Sequence, residues 1–92
     1  MIVYYKLANI LKQRNMQWKD LCEAGISANM PQKFSQNKSV TTDTIDKVCA
    51  FLHVQPGEIM EWVENEDDLR EKELEAKIYA LKKELELLKA NK

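Results

Sequence analysis

The sequence predicts an all-α chain, with five short helices forming a small domain and one long helix after it. Three observations carry this reading. Only two Gly and two Pro interrupt 92 residues, so turns are few. Apolar residues are 45% of the chain, enough for a folded core, and they recur at helical spacing. From about Glu66 the texture changes to Ala, Leu, Glu and Lys, without Gly or Pro. The length suits one small domain plus an appendage, divided at residues 1–63 and 64–92.

The elements follow in order. Tyr4, Leu7, Ile10 and Leu11 share the face of a first helix, which "NM" at 15–16 ends. Asn15 or Gln17 caps a second, with Trp18, Leu21 and Cys22 inward. Gly25 suits the left-handed end of that helix. Ser27 is a good cap for a third helix reaching about Gln36, and "QNKS" is a polar loop. Thr41 or Thr42 starts a fourth, with Ile45, Val48, Cys49 and Leu52 on one face. "HVQPGEIMEWV" reads as a turn into a short fifth helix, with Pro56 at a permissive first-turn position. Ile2–Val3 and Trp62–Val63 are candidates for a tiny two-stranded ribbon.

In the tail, Leu74, Ile78, Leu81, Leu85 and Leu88 are spaced four, three, four and three apart. That is a heptad seam, with Ile78 and Leu85 at a and the other three at d. A helix over residues 66–91 would run about 39 Å. Its leucine stripe needs a partner, and a second copy is the natural one; folding back onto the domain is the alternative. In a parallel pair Arg70 would face the partner's Glu75 and Glu84 its Lys89, both attractive. Lys77 would face the partner's Lys82, which repels, so charge leans parallel without settling the orientation.

Charge and composition exclude several classes. The net charge of −1 hides six basic against two acidic groups in residues 1–40, and six acidic against two basic in 64–73. The basic half is compatible with a polyanion partner, while a pI of 5.8 argues against indiscriminate nucleic-acid coating. No run of 18 apolar residues exists, and the start lacks a basic-then-apolar leader. The sequence therefore predicts a cytoplasmic chain without a signal peptide or membrane span. Cys22 and Cys49 lie 27 residues apart with one His in the chain, a poor metal set, and read as buried, reduced thiols. His53 reads as a residue at the edge of the core. No Ser/Cys/His/Asp constellation or phosphate-cradling Gly loop is present, so no enzyme, cofactor or small-molecule ligand is expected.

From Met16 to Met60, "MQWKDLCEAGIS…VTTDTIDKVCAFLHVQPGEIME" resembles the Xre/Cro-type phage-repressor-like helix-turn-helix family. It is most similar to small bacterial and prophage regulators whose fourth helix reads like V-S-x-x-T-I-x-K-I-C-x-x-L and whose end reads like G-D-I-M-E. The matching residues are Val40, Thr41, Thr44, Ile45, Lys47, Val48, Cys49, Leu52, Gly57, Glu58, Ile59, Met60 and Glu61. The resemblance covers residues 3–63 and implies a compact five-helix domain that binds double-stranded DNA, with the second and third helices as the helix-turn-helix. Residues 64–92 are then an acidic linker and a dimerisation helix.

Carried over residue by residue, the resemblance places Ser27, Ala28, Asn29, Gln32, Lys33 and Gln36 at the major groove. It places Gln17 and the loop Asn37, Lys38, Ser39 at the phosphate backbone, with Ser27 able to serve there too. The chemistry suits the roles. Asn29 or Gln32 can pair with adenine N6 and N7, Lys33 can reach guanine O6 and N7, and Ala28 can meet a thymine methyl. Two departures stand out. Three residues separate Leu21 from Gly25 where the family usually has four, so the turn tightens or the second helix ends early. Pro31 takes the place of the apolar residue that packs the third helix. Counted from Ser27, Pro31 loses a bond only at the helix edge. Alternatively the helix starts late, capped by Asn29 or Met30, and residue 30 turns extended before the proline. Either way Met30 and Phe34 become the anchors, and Gln32 and Lys33 lead Ala28 and Asn29 in reading bases.

The sequence thus points to a homodimeric, sequence-specific transcriptional regulator, in all expectation a repressor. The competing reading is a protein-binding adaptor or inhibitor on the same scaffold. Its motives are the proline, the lack of arginine in the third helix, and the acidic segment.

Overall fold

A computed structural model describes residues 1–90. It is mostly helical: β1 (Ile2–Val3), α1 (Tyr5–Gln13), a 3₁₀ helix (Trp18–Ala24), α2 (Met30–Ser35), α3 (Thr42–Leu52), a 3₁₀ turn (Pro56–Glu58), β2 (Glu61–Trp62) and α4 (Glu66–Ala90). Contacts divide the chain into two compact units at the Trp62–Val63 bond. In the first, Tyr4, Leu7, Leu11, Leu21, Phe34, Ile45, Val48, Leu52 and Ile59 form one core. The periods read from α1 and α3 supply most of it, since residues three and four apart stack on one helix face.

The second helix is 3₁₀ throughout, seven residues where such helices rarely exceed four. At ~2.0 Å per residue it spans ~14 Å, a distance for which an α-helix needs about nine residues. Three residues per turn set Trp18 and Leu21 on the same side, and both pack on the core. Cys22, expected beside them, is only half-buried. The Gln17 N–H donates to the Asp20 carboxylate at 2.7 Å and fixes Gln17, not Asn15, as the cap. Gly25 closes the helix at φ +89° with its N–H on the Cys22 carbonyl. A Cβ there would meet no atom within 4 Å. Gly25→Ala should then cost only the left-handed backbone penalty, about 1–2 kcal/mol, measured by urea denaturation. A neutral result would show that the loop relaxes out of this conformation.

The third helix starts late. Ser27 makes no cap; its carbonyl accepts the Met30 N–H at 3.0 Å, in a turn through residues 28–29. Asn29 is the N-cap residue, itself near helical geometry at φ −87° and ψ −8°. Pro31 falls in the first turn, where its missing N–H has no helical acceptor to lose. Met30 is helical rather than extended, against the expectation for a residue before proline. Pro31 and Phe34 are the buried anchors, and Met30 is half-buried. The proline fills the apolar position it seemed to vacate. Phe34 also packs edge-on to Tyr4, with ring centroids 4.9 Å apart.

Thr41 caps α3, its hydroxyl accepting the Thr44 N–H at 3.2 Å. His53 ends α3 in the left-handed region at φ 57° and is exposed, not at the core edge. The expected fifth helix is a single 3₁₀ turn, with the Gln55 N–H on the Glu58 carboxylate at 2.6 Å. Ile2 pairs with Trp62 and Val3 with Glu61, so β2 sits one residue before the expected Trp62–Val63. Glu61 accepts from Tyr5 Oη at 2.6 Å and pairs with Lys6 at 3.4 Å, tying β2 to α1.

In the second unit, α4 begins where Asn65 Oδ1 accepts the Asp68 N–H at 2.9 Å. The expected end of this helix, Asn91, lies outside the described residues. Among the described residues no helix is long and apolar enough to cross a membrane.

Candidate nucleic-acid interface

The turn Gly25–Asn29 and the helix α2 present one polar face. Asn29, Gln32, Lys33 and Gln36 are spaced three, one and three apart, which gathers them on the side opposite Pro31 and Phe34. Asn29, Gln32 and Gln36 are exposed and Lys33 is half-buried; Ser27 and Ala28 are exposed in the turn before them. The Ser35 hydroxyl and the Gln36 N–H both bond to the Gln32 carbonyl, at 2.8 and 3.1 Å, which firms the end of the helix. A backbone so anchored offers carboxamides and an ammonium at fixed spacing, the donor and acceptor types that read base edges.

The loop that follows is held as firmly. Asn37 sits in the left-handed region at φ 55°, and its Oδ1 accepts the Tyr4 N–H at 2.8 Å. Half of its carboxamide thus has a structural task, which the sequence reading assigned wholly to phosphate. The Lys38 N–H bonds to the Lys33 carbonyl at 2.8 Å, leaving the side chains of Lys38 and Ser39 exposed. Gln17 is exposed as well, but its N–H is taken by Asp20, whose carboxylate already occupies that helix start. Only the Gln17 side chain is left for a phosphate.

The basic groups of residues 1–40 separate by environment. Lys6 pairs with Glu61 and bonds to the Gly57 carbonyl at 3.2 Å. Arg14 donates to the Leu52 carbonyl at 2.8 Å, steadying the end of α3. Among the described residues Lys12, Lys19, Lys33 and Lys38 form no ion pair. Lys19, which the resemblance did not place at the DNA, is exposed two positions past Gln17, and its only sequence signal was the local charge count.

Both cysteines are free thiols. Burial raises the Cys49 pKa, with Asp46 and Glu58 adding to it, so Cys49 stays protonated near neutral pH. Neither belongs to the polar face.

Leu74, Ile78, Leu81, Leu85 and Leu88 are 45–65% exposed along α4. Off that stripe, Lys83 lies over the Tyr79 ring at 5.6 Å and Asp67 pairs with Arg70 at 3.7 Å.

A family model described as a Cro/C1-type helix-turn-helix DNA-binding domain matches residues 6–65. The fold is similar to the crystal structure of the transcriptional regulator VanUg, with a TM-score of 0.64 and 28% identity over 70% of this chain and 87% of that one. Nothing among curated proteins matches. The match spans most of the globular unit, and the chain belongs to the Cro/C1-type helix-turn-helix family: it is a DNA-binding regulator and not an enzyme.

Proposed function

We propose that the protein is a sequence-specific repressor that acts in the cytoplasm as a homodimer, each copy laying α2 in the major groove of one half-site. The observation that carries this is the polar face of Asn29, Gln32, Lys33 and Gln36, set opposite the anchors Pro31 and Phe34. Gln32 and Lys33 lead in reading bases, with Asn29, Gln36 and Ala28 beside them. Gln17, Ser27, Asn37, Lys38 and Ser39 contact phosphates, and Lys19 joins them as an unpaired cation. Residues 1–63 form the DNA-binding part and 64–92 the linker and dimerisation helix. The exposed stripe from Leu74 to Leu88 supports pairing with a second copy. Two copies would address half-sites about 34 Å apart, and bound at a promoter they would exclude polymerase.

Selection of bound duplexes from a random library tests the reading. It should enrich a two-fold symmetric site at moderate salt; if no sequence emerges, the adaptor reading wins. Two substitutions refine the outcome. Lys33→Ala should relax preference at one position of the half-site, costing about 1–3 kcal/mol on the preferred base. Lys38→Ala should weaken all sequences alike and lower the salt slope by about one.

A further inference from the structure

The ribbon places its residues unequally. Val3 is fully buried on one face, whereas the register pair Ile2 and Trp62 shares the other, 40% and 65% exposed. Trp62 is the most exposed aromatic of the globular unit. Tryptophan is enriched among the residues that dominate protein interfaces, because a single indole buries a large area with little side-chain entropy.

We infer that this outer ribbon face packs against a second copy of the chain and forms the second half of the dimer contact. The inference rests on the homodimer reading above. Two observations name the occupant. A stable interface buries about 800 Å² per partner, and the tail offers one stripe of five side chains that are 45–65% exposed. An aromatic adds up to about 150–250 Å². In addition, only Val63, Glu64 and Asn65 separate Trp62 from the first residue of α4. The chain therefore holds the indole within roughly 14 Å of the start of the dimerisation helix. In the parallel pairing that the tail charges favour, the two helices start side by side, and these short linkers keep both ribbon faces near that start at high effective concentration.

Trp62 is one of two tryptophans, so Trp18→Phe makes it the sole indole of the full chain. Its emission and acrylamide quenching are followed through a dilution series, with mass measured in parallel by light scattering. The expected result is a red shift and a several-fold rise in quenching over the concentrations at which the mass halves. Trp62→Ser in the otherwise native chain should raise the dimer dissociation constant at least ten-fold, with the circular dichroism of the monomer unchanged. A dimer in which Trp62 is as quenchable as in the dilute monomer overturns the inference and leaves the tail pairing intact. A chain that is monomeric at every concentration overturns the homodimer reading itself.

Discussion

Replacing Phe34 with alanine is expected to unfold the globular unit. Phe34 is 1% exposed, stacks edge-on against Tyr4 and joins α2 to the core. Truncating a buried phenylalanine costs about 3–5 kcal/mol through lost transfer energy and the cavity left behind. The aromatic pair adds about 0.5–1.5 kcal/mol. A domain of this size has only about 3–9 kcal/mol in all. Urea denaturation of Phe34→Ala should therefore show a strongly lowered midpoint or no folded baseline. Gln36→Ala, two residues away and exposed, should stay within about 0.5 kcal/mol of the native chain. A loss below about 1 kcal/mol at Phe34 would show that α2 is not anchored through it. The two results together separate the helix's packing face from its reading face.

That division explains what the sequence could and could not disclose. The core faces of α1 and α3 were legible because they follow from a 3.6-residue period acting on local apolar residues. Gly25 was legible too, since a helix end often demands a positive φ that glycine provides cheaply. The start of α2 was left between two readings, because Ser27 is a good cap and a proline is tolerated in either frame. The fold takes the late start: residues 28–29 form a turn, α2 begins at Met30, and Pro31 and Phe34, three apart, are buried on one face. Local rules also place Met30, just before a proline, outside the helical region, whereas the fold holds it as the first residue of α2.

Other features depend on pairings no local window contains. The 3₁₀ winding of Trp18–Ala24 sets Trp18 and Leu21 together against a core built from distant helices. Asn37 is a polar loop residue by composition, and only its bond to Tyr4, 33 positions away, makes it structural. The same holds for Arg14 and Lys6, whose charges count toward a basic face in sequence but serve carbonyls and Glu61 in the fold. Among the described residues Lys6 alone of the six basic groups in residues 1–40 is held in an ion pair, while Arg14 keeps its charge and spends one N–H on the Leu52 carbonyl. Lys33 stands on the polar face of α2 beside Gln32 and Gln36, whereas Lys38 extends from a loop whose backbone is tied to the Lys33 carbonyl; on the proposed function only the first is placed to read a base.

Placing lysine at both a positions of the tail, Ile78→Lys with Leu85→Lys, is expected to leave the domain folded and abolish the dimer. Both side chains are about half exposed in the single chain, so the substitutions disturb no core of the first unit. In a pair they would set cations inside an apolar seam, where burying an unmatched charge costs several kcal/mol and like charges repel across a layer. Two and a half heptads cannot absorb that. Light scattering should report a monomer at concentrations where the native chain is a dimer, with the thermal melt of the globular unit unchanged. The consequence for DNA follows from effective concentration. Tethering makes the second half-site contact intramolecular, an advantage of about 10²–10⁴-fold that the variant forfeits. Affinity for a two-site operator should fall by that factor and approach affinity for a single half-site, while the preferred bases stay the same. If the variant still scatters as a dimer, the stripe from Leu74 to Leu88 is not the joint. If it is a monomer yet binds the full operator as tightly as the native chain, DNA recognition here needs only one copy.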